Sequence, residues 1–156
     1  MKKRFFSFIV LVVICFSLTT PVFADSDNTN TLSSSIVYLD NGDYVVIRVE
    51  ETVSLRSTVK TGNKHYNYYH ANGTLLWRVT LTGTFEYTYG VSSTCTKASH
   101  KETIYDSNWS VGSATAYKSG NTAYADVTMD QRGLGILVYH KNVNLTLSCD
   151  KYGNLT

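Results

Sequence analysis

Leu75 to Tyr87 reads LLWRVTLTGTFEY, and this stretch decides the fold. Trp77, Val79, Leu81, Phe85 and Tyr87 share one parity; Arg78, Thr80, Thr82, Thr84 and Glu86 share the other. Side chains that return to the same side at every second residue have the period of a β-strand, whereas an amphipathic helix needs apolar residues three and four apart. The pattern predicts a half-buried strand with its tryptophan face turned to a core. Gly83 interrupts that face, which predicts a bulge or a large neighbour crossing the strand there.

Working outward, the same period recurs. Downstream, Thr94 to Tyr105 is a less apolar strand in which Cys95 differs in parity from Ala98 and Ile104, so a bulge is expected between Cys95 and Ala98. Asp106-Ser107-Asn108 is a turn cluster, and Lys118-Ser119-Gly120-Asn121 joins strands over Trp109 to Tyr117 and Thr122 to Gln131. Arg132-Gly133-Leu134-Gly135 leads into a last strand from Ile136 to Cys149, where Lys141 intrudes on the apolar side and points to a sheet edge. Upstream, Ala71-Asn72-Gly73-Thr74 turns back into His65 to His70. Residues 50–64 are charged and hydroxyl-rich and read as a loop or linker. Ile36 to Leu39 and Tyr44 to Val49 flank Asp40-Asn41-Gly42-Asp43, the pattern of a hairpin. Residues 25–35, polar and without periodicity, read as a disordered leader. About eight strands and no helix predict one all-β domain over residues 36–156, an antiparallel β-sandwich.

The N-terminus has a different character. Lys2, Lys3 and Arg4 precede an apolar run from Phe5 to Leu18, and Val22-Phe23-Ala24 follows Pro21. That is the pattern of a secretory signal peptide cleaved after Ala24, and the apolar run is shorter than the roughly 20 residues of a spanning helix. Removing 24 residues from 156 leaves 132, enough for one domain with a core. Three of the 14 basic residues leave with the signal, so 11 face 12 acidic residues and the formal charge is near −1. Net charge therefore recommends neither nucleic acid nor an anionic membrane as partner. Cleavage removes Cys15 and leaves Cys95 and Cys149, which allow one disulfide; the alternative is two reduced, buried thiols. The expectation is the bridge, worth roughly 4 kcal/mol in the chain-entropy account.

Two resemblances follow from these residues. Cys95, Trp109 and Cys149 resemble the Cys, Trp, Cys pattern of immunoglobulin domains, although Leu147 stands where that family's corner tyrosine would be and too few residues follow Cys149 for its last strand. The likeness is thus Ig-like in architecture only. Over nearly all of the mature chain, Leu39-Asp40-Asn41-Gly42-Asp43-Tyr44, Leu76 to Phe85, Ile104 to Trp109, Lys118 to Ala123 and Leu147 to Asp150 with Gly153-Asn154-Leu155 resemble an uncharacterised family of small exported proteins of Gram-positive, gut-type bacteria. That resemblance implies a secreted β-domain and no particular activity.

No catalytic set is assembled in the sequence. His65, His70, His100 and His140 lack close metal-ligand spacing, no serine sits in a Gly-x-Ser-x-Gly elbow, and Gly133-Leu134-Gly135 precedes no helix that would make it a phosphate loop. No cofactor or metal is expected. The chain is rich in tyrosine, with 12, and Tyr66, Tyr68, Tyr69, Tyr87 and Tyr89 cluster around the organising strand. Tyrosine joins contact area to a hydroxyl, which suits a binding face for sugar or protein; the competing reading is cross-strand pairing that stabilises the sheet. The expected function is a secreted, extracellular or envelope-associated, non-catalytic binding or interaction module. Its expected partner is a cell-wall glycan or an extracellular protein. The alternative is a small secreted hydrolase or antibacterial effector.

Overall fold

In the computed structural model, which describes residues 29–52 and 58–156, the organising stretch is a strand of 14 residues, Leu75–Thr88. Trp77, Val79, Leu81 and Phe85 are fully buried, and Arg78, Thr80, Thr82 and Thr84 of the other parity are half-exposed, as the alternation predicts. Eight strands form among the described residues: β1 Thr29–Tyr38, β2 Tyr44–Thr52, β3 Val59–Tyr69, β4 Leu75–Thr88, β5 Ser92–Ile104, β6 Trp109–Ser119, β7 Thr122–Gly133 and β8 Ile136–Ser148. They make a five-stranded sheet in the order β1-β2-β3-β4-β5 and a three-stranded sheet in the order β6-β7-β8, every pair antiparallel. The immunoglobulin likeness is thus one of two packed antiparallel sheets. The strand order is a plain meander.

The core lies between the sheets. β4 faces Ala123, Ala125, Val127 and Met129 of β7 and Val143, Leu145 and Leu147 of β8, with Val45 and Val49 of β2 and Tyr68 of β3 alongside. Each large apolar side chain buried here contributes about 1.5–3 kcal/mol relative to exposure. Gly83 faces Ala123 of the other sheet. A Cβ there would meet the Phe85 ring at 2.6 Å and Ala123 Cβ at 3.2 Å, so the neighbour crossing the strand is Phe85 itself. The bulge in β5 is also where parity placed it: Thr84 pairs with Lys97 and Phe85 with Cys95, leaving Thr96 as the extra residue.

Three expectations are corrected. Residues 29–35 of the expected leader are strand, pairing with β2 although every residue of β1 is exposed; backbone hydrogen bonding to β2 orders an edge strand that buries almost nothing. Residues 50–52 and 59–64 of the expected linker belong to β2 and β3, so the first hairpin is continuous with the sheet; their polar side chains alternate across a sheet surface instead of forming a loop. Residues 1–28, with the expected signal peptide, and 53–57 lie outside the described residues.

The third concerns the disulfide. Cys95 and Cys149 are buried, free thiols. Each has a local acceptor: the Cys95 thiol donates to the Lys97 carbonyl at 3.3 Å and the Cys149 thiol to the Asp150 carbonyl at 3.5 Å. Both cysteines sit by the β6–β7 turn, Cys95 N–H donating to the Gly120 carbonyl and Cys149 N–H to that of Asn121. Trp109 begins β6 at the far end of the strand, roughly 30 Å away at the usual strand rise, so no Cys-Trp-Cys cluster forms. The chain end is pinned by other means. Asp150 accepts from the N–H groups of Tyr152 and Asn154, Ser148 and Thr156 exchange backbone hydrogen bonds, and Leu155 fills the space that Gly62 leaves open. Burial raises both thiol pKa values, with each other's charge adding at Cys95 and Asp150 adding at Cys149. Native protein should therefore leave both thiols unlabelled by maleimide, and unfolding without reductant should expose Cys95 and Cys149 to labelling; protection that only reductant relieves would show a bridge.

Candidate functional site

The connections β1–β2, β3–β4, β5–β6 and β7–β8 fall at one end of the sandwich, where the sheets splay around a cavity of about 660 Å³. Its five-stranded wall carries Leu39, Asp43, Tyr68, His70 and Leu76; its three-stranded wall carries Trp109, Gln131, Tyr139 and Lys141; Asp40, Asn41 and Asp106 stand on the turns.

The turns are held by their own polar residues. In the β1–β2 turn, Asn41 Oδ1 accepts from Asp43 N–H at 3.2 Å, and Gly42 takes a φ of +86°, where a side chain would be strained. Asp43, only 7% exposed, ties this turn to the next. Its carboxylate accepts from the Tyr68 hydroxyl at 2.8 Å, His70 Nδ1 at 2.8 Å, Ala71 N–H at 3.1 Å and Asn41 Nδ2 at 2.9 Å. Burial pushes the Asp43 pKa up, but these four donors outweigh it and hold the group below the ordinary aspartate value. Burial and the adjoining Asp43 carboxylate push the Tyr68 hydroxyl up to about 12, so it stays a donor. Across the cleft, the β5–β6 turn is fixed by Asp106 and Tyr105 N–H donating to the Leu76 carbonyl and by Arg132 N–H donating to that of Asn108.

The floor is aromatic. Trp77 stacks on Tyr68 at 4.9 Å between centroids, Trp109 tilts against both at 5.5 Å, and Tyr139 meets Trp109 edge-on at 6.2 Å. The indole N–H groups of Trp77 and Trp109 are buried without an acceptor among the described residues. Trp77 lies behind the cleft, but Trp109 lines it. The cleft thus combines the exposed Tyr139 ring with carboxylate, amide, imidazole and ammonium groups around the rim.

Of the five tyrosines singled out in the sequence, the structure brings only Tyr68 to this cleft. Tyr66 stacks on the other side of Trp77 at 5.6 Å. Tyr69 stacks on Tyr44 at 4.9 Å, with Tyr38 adjoining, so its ring face is spent on cross-strand pairing. Tyr87 packs on Gly153, and Tyr89 meets Tyr152 edge-on at the opposite end. The residues missed were those of the turns. In a meander every second connection lands at the same end, so counting connections from the β1–β2 turn would have gathered Asp40, His70 and Asp106.

Three of the four histidines meet carboxylates. His65 contacts Glu50 at 3.3 Å, and His100 contacts Glu102 at 2.8 Å; only His70, with Asp43, does so in the cleft. Burial lowers the His65 pKa, partly offset by Glu50, so that imidazole is neutral at pH 7. Among the described residues no group of three or more metal-binding side chains converges. Compared with family models, curated proteins and solved structures, the chain matches none of them.

Proposed function

We propose that the chain is an exported, non-catalytic binding module whose cleft takes a carbohydrate. The observation that carries this reading is the half-exposed Tyr139 ring, seated edge-on against the buried Trp109, inside a rim of carboxylate and amide groups. Aromatic faces match the apolar faces of sugar rings, and planar polar side chains match their hydroxyls, while the tight packing of the floor fixes both in advance. The signal pattern at Lys2 to Ala24 and the likeness to small exported proteins support an extracellular or envelope location, and a cell-wall glycan is then the ligand at hand.

A glycan and cell-wall array followed by titration calorimetry tests it. Tyr139 is 44% exposed, so Tyr139→Ala should fold, yet lose about tenfold or more in affinity, the scale of removing one interfacial aromatic. Tyr89→Ala, at the opposite end, should bind as the parent does. Unchanged affinity in the Tyr139 variant, or no glycan bound, would sink the reading.

One observation favours the second reading, a secreted hydrolase or antibacterial effector. His70 Nδ1 is held by Asp43 at 2.8 Å, and the His70 side chain is 55% exposed at the cleft. A carboxylate-oriented imidazole is the setting of a general base. Among the described residues no Ser, Thr or Cys lines the cleft, so the base would have to act on water. Turnover in a hydrolase panel that His70→Gln abolishes would establish this reading over the first.

A further inference from the structure

The two sheets are unequal in width. β6, β7 and β8 lie over β5, β4 and β3, so β1 and β2 project past β8 as a two-stranded shelf. On its inner side Val37, Ser35 and Ser33 of β1 stand beside Val45, Ile47 and Val49 of β2. Val37 is 47% exposed and Leu32, the extra residue of the β1 bulge, 44%. A groove of about 450 Å³ runs between this side and the tail at Leu155. Lys64 of β3 lines the same groove, half-buried and with no acceptor among the described residues.

Both strands bordering the shelf are bare edges. β1 contains no charged residue and no proline, the usual guards of an exposed edge, whereas β5 on the other side of the same sheet carries Lys97, Lys101 and Glu102. On β8, Ser148 turns its N–H and carbonyl away from β7 and exchanges them with Thr156. The alternation of an antiparallel ladder turns those of Thr146, Asn144 and Asn142 the same way. On β1, Leu39 N–H donates to the Asp43 carbonyl, so the groups of Tyr38, Ile36 and Ser34 turn away from β2. Neither row meets a strand among the described residues.

We infer that the shelf is the contact surface of a two-fold dimer, each copy's shelf filling the place beside β8 of the other. The larger sheet has five strands and the smaller three, so the excess and the vacancy are both two strands, and a second copy brings a shelf of that width by construction. A two-fold axis parallel to the strands exchanges the layers and keeps strand direction. β1 runs toward the cleft end and β8 away from it, so β1 meets β8 of the second copy antiparallel. Two layers of eight strands result. Heights agree as well. Asn30, Glu51 and Gly62 lie in one row, and a Cβ on Gly62 would meet Leu147 at 3.4 Å, so Asn30 arrives beside Leu147 of the second copy. Thr156 holds the place beside Ser148, and the open lane from Leu147 toward His140 receives Asn30 to Tyr38. Between the layers, the branched row of β2 faces the small serines of the other β1, whose hydroxyls give Lys64 an acceptor. The two faces and two new ladders cover on the order of 1,200 Å², the lower end of specific interfaces. Both clefts then open at the same end, which suits two-point attachment to a polymer.

Sedimentation of the full chain should show a monomer–dimer equilibrium between about 1 and 100 µM. Ser35→Lys places a charge on the inner side of the edge, and Ser34→Pro removes an N–H that the β1–β2 ladder does not use; both positions are exposed, so melting temperature should hold. Each should weaken dimerisation about tenfold or more. Crosslinking reads the edges themselves, apart from any association through the N-terminal apolar segment. Ser34→Cys and Asn144→Cys are made in separate chains and treated with a short bismaleimide. The mixture should give a crosslinked pair, and each variant alone should not. A monomer at every concentration, a dimer unweakened in both folded edge variants, or Ser34→Cys crosslinking to itself would overturn the inference.

Discussion

Trp77→Ala will lower the free energy of unfolding by about 3–5 kcal/mol, the range for emptying a fully buried aromatic site. Trp77 has no exposed surface and is held between Tyr66 and Tyr68, with ring planes within 8° and 10° of parallel. Tyr68 cannot close over the gap, because it is tied through its hydroxyl to Asp43. Urea unfolding of parent and variant reads the effect, and the melting temperature should fall by roughly 10–15 °C for a domain of this size. Trp77→Phe is the informative companion. The Trp77 indole N–H has no acceptor, so phenylalanine forfeits volume but no hydrogen bond and should cost less than half as much. Equal losses in the two variants would show that the indole N–H matters more than its surroundings indicate.

Asp43→Ala should cost about 3 kcal/mol, because it strands several donors at once and buried donors without acceptors are penalised by about 1–3 kcal/mol each. The Tyr68 hydroxyl, Ala71 N–H, Asn41 amide and His70 imidazole all lose their acceptor. The same residue sets a pH dependence. Its pKa is lower in the folded state than the ordinary 3.8. The folded state therefore binds this proton less readily than the unfolded state. The resulting stabilisation is complete above the unfolded value and is lost as pH falls from there through the folded value. Asp43→Asn should remove that portion of the acid sensitivity while keeping one oxygen for the donors. Denaturant midpoints measured between pH 7 and pH 2 test this; parallel curves for parent and Asp43→Asn would count against it.

Alternation was enough to identify the strands because their inner faces meet a core. Leu75 to Tyr87 and Thr122 to Gln131 could be read residue by residue, down to the crowding at Gly83 and the extra residue at Thr96. The starts of β1 and β3 could not, since they are ordered by backbone pairing and bury little, which leaves no hydrophobic period to read. The cleft was hidden for a different reason. Tyrosine spacing along one strand says nothing of what faces it, and Tyr69 and Tyr66 turned out to stack on Tyr44 and Trp77. Asp43 looked like a turn residue, and its other role depends on Tyr68 and His70 arriving from 25 and 27 positions away.

The meander also governs how the chain finds its structure. Each ladder joins a strand to the one synthesised just before it, and only the passage from β5 to β6 moves between sheets. Closing a short loop forfeits little chain entropy, so each hairpin can form beside its predecessor without waiting for a distant segment. Rates of folding track the average separation of contacting residues, which places this sandwich with the faster all-β chains. Such sequential zippering shortens the interval in which the inner strands β2, β3, β4 and β7 stand as bare edges open to pairing with other chains.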